Sequence, residues 1–219
     1  MMKMVRIFAG AVLAGISISL GGLVFLSLDN RVIGAALFTI GLFTVCTMGL
    51  NLFTGKVCYV FQNGRDYALT LPVIWLGNLT GTGLAALCAG LTRNMTALSE
   101  KAAGMCRGKL DDSLISLFFL GLLCNIFIYL AVEGYKSIPH EAGKYLALFF
   151  GVMVFILSGT EHCVADMFYL WIGRAWSGRA VVCILVITLG NAVGGVIFPL
   201  LRELQSGGKK DNTGEGFSK

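Results

Sequence analysis

The stretch GTEHCVADMF, Gly159 to Phe168, places two carboxylic acids, Glu161 and Asp166, around His162 within an otherwise apolar part of the chain. Histidine, with an ordinary pKa of about 6.5, can exchange a proton at working pH. Ionisable groups kept in such surroundings mark ion or proton pathways. Two chemistries fit. The first is proton exchange with a small ionisable substrate. The second is hydrolysis with Cys163 as nucleophile and His162 as base, but adjacent residues on a helix do not face each other, so the base could not be aimed. An enzyme is therefore not expected. The other seven-cysteine arithmetic is equally plain: Cys46, Cys58, Cys88, Cys106, Cys124, Cys163 and Cys183 form no CxxC, and there are two histidines, so no metal site or cofactor is expected.

The elements that must position these groups are set by composition. The chain has 219 residues, 56% of them hydrophobic and 13% charged, with a mean hydropathy of +0.80. This is too apolar for a soluble domain of its size. Windows at about 5–28, 32–50, 70–92, 113–133, 142–160 and 178–201 reach the roughly 20 apolar residues that cross a bilayer. They predict six membrane spans in one domain, 1–204, followed by a polar, Gly-rich and disordered tail, 205–219. The first span is too long for the apolar region of a signal peptide and is expected to stay. The net charge of +5 lies largely in loops and tail, without a basic, aromatic-laced surface, so nucleic acid is not an expected partner.

The chain also repeats itself. WLGNLTGTG (Trp75–Gly83) reappears as TLGNAVGGV (Thr188–Val196), with Asn78 and Asn191 separated by 113 positions. NLFTG (Asn51–Gly55) interrupts the second apolar run where GTEHCV (Gly159–Val164) interrupts the fifth. Three spans per half is an odd number, so the halves must enter the membrane in opposite directions. The expected fold is an all-α membrane protein, a 3+3 inverted repeat with helices two and five broken. Unwound backbone at membrane depth is tolerated where it lines a cavity or is covered by protein, which points to the breaks as the transport site. Asn78 and Asn191 are expected to bond the backbone groups freed there.

These motifs, in this order, resemble the formate/nitrite transporter family. The resemblance is carried by Leu52-Phe53-Thr54, Lys109, Asn125, Glu161-His162, Met167-Phe168, Gly190-Asn191 and Gly194-Gly195, and covers nearly the whole chain. It implies an aquaporin-like homopentamer in the cell (inner) membrane, with a pore in each protomer and cytoplasmic termini. Loop charges favour that orientation only by a narrow margin. The implied partners are a small monovalent anion of a weak acid (formate, nitrite or hydrosulfide) and a proton. Carried over by position, His162 is the central histidine, Thr54 faces it, Lys109 is the vestibule lysine, and Phe38, Leu42, Leu52, Phe53, Ile128 and Phe155 line two apolar slits. Glu161, Asp166, Asn51, Asn78, Asn125 and Asn191 are expected to support the breaks. Two positions depart from the family pattern: Asn51 stands where an acid is usual, and Asp166 where asparagine is usual. A coupled pair between them is the expectation that follows.

The physics fits the resemblance. A bare anion entering an apolar slit loses several kcal/mol of hydration, roughly, while the neutral acid loses much less. Lys109 would attract the anion and His162 would exchange a proton with it. The alternative is a structural or regulatory membrane protein, which anion flux would distinguish.

Overall fold

The computed structural model describes residues 2–207, so nearly all of the tail expected to be disordered lies outside the described residues. Within them the protein is helical, with no strand. Helix α1 (Met2–Ser27) is followed by α2 (Arg31–Phe38) and α3 (Ile40–Thr47), which are separated only at Thr39. Short helices α4 (Phe53–Val57) and α5 (Arg65–Ala68) lead into α6 (Leu71–Gly90). The second half runs α7 (Met95–Asp111), α8 (Leu114–Ser137), α9 (Glu141–Leu157), α10 (Cys163–Ile172) and α11 (Gly178–Gln205).

Among the described residues four helices are long and apolar enough to cross a bilayer: α1, α8, α11 and the stretch Arg65–Gly90 that includes α6. The windows at 32–50 and 142–160 form shorter helices that end at Thr47 and Leu157. Both stop for the same reason. Gly49 and Gly159 adopt φ of +64° and +69°, the left-handed conformation glycine takes without a Cβ penalty. The next amide closes each helix end: Leu50 N–H donates to Val45 O (2.9 Å) and Thr160 N–H to Phe155 O (3.2 Å). Arg31 also donates to Ile156 O at 2.9 Å, placing a cation at the C-terminus of α9.

The apolar windows do not include 95–111, which folds as α7. Its buried residues Leu98, Ala102 and Cys106 recur every four positions, one face of an otherwise polar helix. Lys109 lies in its last turn.

Two close helix pairs brace the fold, α1 against α6 and α8 against α11. Small residues permit the approach: a Cβ on Gly81 would overlap the carbonyl of Val12, and one on Gly194 the carbonyl of Leu122. Trp75 Nε1 donates to Thr188 Oγ1 at 3.1 Å, joining matched positions of the two repeated segments.

Candidate transport site

After Gly49 the chain is irregular, and extended at Leu52, before α4 begins; after Gly159 it is irregular, and extended at His162, before α10 begins. Irregular backbone has free amides and carbonyls, and buried polar groups must be paired. Asparagines pair them. Asn78 Nδ2 donates to Ala11 O (2.8 Å) and Asn51 O (2.9 Å), while its Oδ1 accepts from Phe53 N–H (2.9 Å). Asn191 Nδ2 donates to Gly121 O (2.7 Å) and Glu161 O (2.9 Å), while its Oδ1 accepts from Cys163 N–H (3.0 Å). The two sets of partners fall at matched positions in the sequence. Asn125 Nδ2 donates to Asn191 O (2.7 Å) and Thr54 O (3.1 Å), tying α4 to α11 from α8.

His162 and Thr54 meet between the interruptions. Thr54 Oγ1 and His162 Nε2 are 2.9 Å apart, and both residues are buried. The other ring nitrogen, Nδ1, accepts from Ala165 N–H at 3.2 Å, so His162 is the side-chain N-cap of α10. A nitrogen that accepts an N–H carries no proton, which assigns the hydrogen to Nε2 and makes it the donor to Thr54. The ring stacks on Phe155 (centroids 5.8 Å apart, planes at 26°), and Phe155 meets Phe38 edge-on at 6.1 Å. Leu42, Leu52, Phe53 and Ile128 are buried in the same apolar core as Phe38 and Phe155.

Lys109 reaches down from α7 onto both acids. Its ammonium donates to Glu161 Oε2 and lies 2.9 Å from Asp166 Oδ1. Its side chain is 14% exposed, those of Glu161 and Asp166 9% and 3%. Asp166 Oδ2 is buried without a hydrogen-bond partner. Asn51 lies apart from this group: its Nδ2 donates to Ile7 O at 3.2 Å, so it and Asp166 sit in separate networks. The bonding of Lys109 to two acids more than 50 positions away left no local signal in the sequence. The glycines that end α3 and α9 did leave one, in Gly-Leu-Asn-Leu and Gly-Thr-Glu-His at the head of each interruption. Among the described residues no group of acids, histidines and cysteines is arranged to hold a metal.

Apolar helices that cross a membrane several times, with irregular backbone and a histidine buried between them, define a multi-pass membrane transport protein. A model of the formate/nitrite transporter family matches residues 1–203, and the chain belongs to that family. It is 34% identical over 201 residues to the nitrite transporter NirC of Salmonella typhimurium, covering 82% of this chain and 72% of that protein. An uncharacterized transporter of Bacillus subtilis, YrhG, is 29% identical over 198 residues, covering 84% of this chain and 74% of its own. Among solved structures, a pentameric formate channel with formate bound superposes with a TM-score of 0.80 at 23% identity, covering 93% of this chain and 97% of that one. An ion channel of the same family superposes equally well, TM-score 0.80 at 27% identity, with 92% and 90% covered. The family is one of channels and transporters, not of enzymes.

Proposed function

We propose that the protein is a transporter or channel for small monovalent anions of weak acids, formate, nitrite or hydrosulfide, with a pore in each protomer of a homopentamer. The pentamer is supported by the pentameric formate channel that shares the fold. In this reading the domain is a six-helix inverted 3+3 repeat, supported by the matched bonding of Asn78 and Asn191 around two interrupted helices. It sits in the cell (inner) membrane with cytoplasmic termini.

The observation that carries the reading is the hydrogen bond between His162 Nε2 and Thr54 Oγ1, 2.9 Å, buried between two stretches of irregular backbone and walled by Phe155 and Phe38. Apolar walls exclude a hydrated anion and admit a neutral acid. Lys109 draws the anion to the mouth, and the Leu42, Leu52, Phe53 and Ile128 side chains complete the slits on either side of the centre. His162 exchanges a proton at Nε2 with the molecule held there, while Thr54 orients it.

The test is uptake of labelled formate and of nitrite by proteoliposomes, with internal pH recorded at the same time. Uptake of either anion, accompanied by internal acidification, is expected. No uptake of any weak-acid anion by assembled protein would return the structural or regulatory alternative.

A further inference from the structure

We infer that Glu161 and Asp166 together hold one proton beneath Lys109, and that this pair is the donor that turns the arriving anion into its neutral acid. The inference rests on the transport reading above and adds to it the place where the proton is stored.

Charge counting is the first argument. Two carboxyl groups share one ammonium, and all three side chains are largely shut off from water. With both acids ionised the group would carry one excess negative charge where desolvation is costly. It would also repel the anion that Lys109 is placed to attract. One proton on the pair makes the group neutral. A second, independent observation points the same way: Asp166 Oδ2 is buried and unpartnered. A charged oxygen left there is more costly than a hydroxyl. The proton belongs to the pair rather than to either acid.

The neighbours do not change the count. On α7, Cys106 accompanies Lys109, and α8 contributes Cys124. From the interruption and α10 come His162, Cys163 and Tyr169. On α11, Cys183 lies within reach of Glu161, while Arg179 is turned to the carbonyls of Leu110 and Asp112. Lys3 and Arg6 of α1 are exposed near its start, Cys88 of α6 is exposed, and Lys56 of α4 lies with Lys136. The first half offers no equivalent store, since the positions matching Glu161 and Asp166 are Asn51 and Lys56.

His162 cannot fill this role alone. Its Nδ1 is committed to Ala165 N–H, and its one N–H is shared with Thr54. Giving that hydrogen away requires another to reach the ring. At the pair the step balances simply: an O–H bond of the carboxyl pair breaks, its electrons stay on the carboxylate, and an O–H bond forms on the anion. Formate leaves as formic acid, and the pair takes a new proton from water on the Lys109 side.

Infrared difference spectroscopy on the full chain in lipid tests the store directly. The wild type is expected to show the carbonyl stretch of a protonated carboxyl near neutral pH, lost on raising the pH. Asp166→Asn and Glu161→Gln should each lack it, because one acid against Lys109 stays ionised; if one variant fails to assemble, the other carries the test. No such band in the wild type, or the same band in an assembled variant, would overturn the store. In proteoliposomes, wild-type formate uptake should fall about tenfold per pH unit above the midpoint of that band, as one required proton dictates. Asp166→Asn should lose this dependence. An unchanged uptake profile in a variant without the band would overturn the donor role. Absence of uptake by the wild type would remove the transport reading, and with it the donor role, while the infrared band still decides whether the pair holds a proton.

Discussion

Replacing Asn191 by alanine removes three hydrogen bonds at one point. The carbonyls of Gly121 and Glu161 lose their donor, and the amide of Cys163 loses its acceptor. All three bonds are buried, so water is not at hand to replace the side chain. Each orphaned group costs about 1–3 kcal/mol, giving about 3–9 kcal/mol as a simple sum. Relaxation of the irregular backbone trims this, and a loss of about 3–5 kcal/mol is expected. At about 2–4 °C per kcal/mol for a chain of this length, the melting temperature should fall by at least about 6 °C. Thermal unfolding of the purified protein, followed by intrinsic tryptophan fluorescence, reads this shift. Asn191→Asp separates bonding from packing. It keeps the volume and the acceptor for Cys163 N–H, yet turns an oxygen toward two carbonyls. It should therefore destabilise at least as much as alanine. A melting shift below about 2 °C for alanine, or an aspartate variant close to wild type, would refute the idea that this side chain holds the interruption.

Three further perturbations address other contacts. Lys109→Met strips the ammonium from two buried acids and should lose about 3–5 kcal/mol at neutral pH. The sign with pH follows from linkage: the folded variant would bind more protons than the unfolded chain, so melting temperature should rise on acidification, and a flat response would count against the pairing. His162→Asn retains a side-chain acceptor for Ala165 N–H but forfeits the stack on Phe155 and the bond to Thr54, so it should lose about 1–3 kcal/mol along with formate uptake. His162→Phe keeps an aromatic ring but loses the cap, about 0.5–2 kcal/mol. Wild-type melting of the phenylalanine variant would show that the cap is not felt. Gly194→Ala, whose Cβ meets the Leu122 carbonyl, should prevent assembly seen by size-exclusion chromatography, whereas Gly108→Ala, with open space around it, should gain about 0.5–1 kcal/mol.

Much of the architecture was legible in residue patterns because it is written in local terms. Apolar windows mark the long helices, and the Gly-Asn pairs at matched positions single out Asn78 and Asn191, whose amides reach backbone in both directions. His162 stood out for the same reason, as an ionisable ring where apolar residues were the rule. What could not be read is long-range and geometric. The register of α7 that carries Lys109 onto Glu161 and Asp166 depends on its burying Leu98, Ala102 and Cys106, in a stretch too polar for the apolar windows. The expected link between positions 51 and 166 came from comparing residue types without their partners. Asn51 bonds to α1 and Asp166 to α7, so exchanging acid for amide at one need not be answered at the other.

The position of His162 connects backbone to chemistry. The same ring that meets Thr54 also caps α10, so the chain cannot move the histidine without freeing the amide of Ala165. Cap, stack on Phe155 and bond to Thr54 fix the ring on three sides, and the cap, which needs a bare Nδ1, leaves the hydrogen at Nε2. A second hydrogen would make the ring a cation facing the positive end of the helix it caps. A neutral, immobile donor is suited to holding an oxygen of a passing acid, and poorly suited to storing an extra proton. The Lys109 group has the opposite properties: three ionisable side chains, one oxygen without a partner, and an uneven count of charges. Transport of a weak acid needs both tasks done, and the proposal made above divides them, with the hydrogen bond at His162 and Thr54 and the stored proton at Glu161 and Asp166.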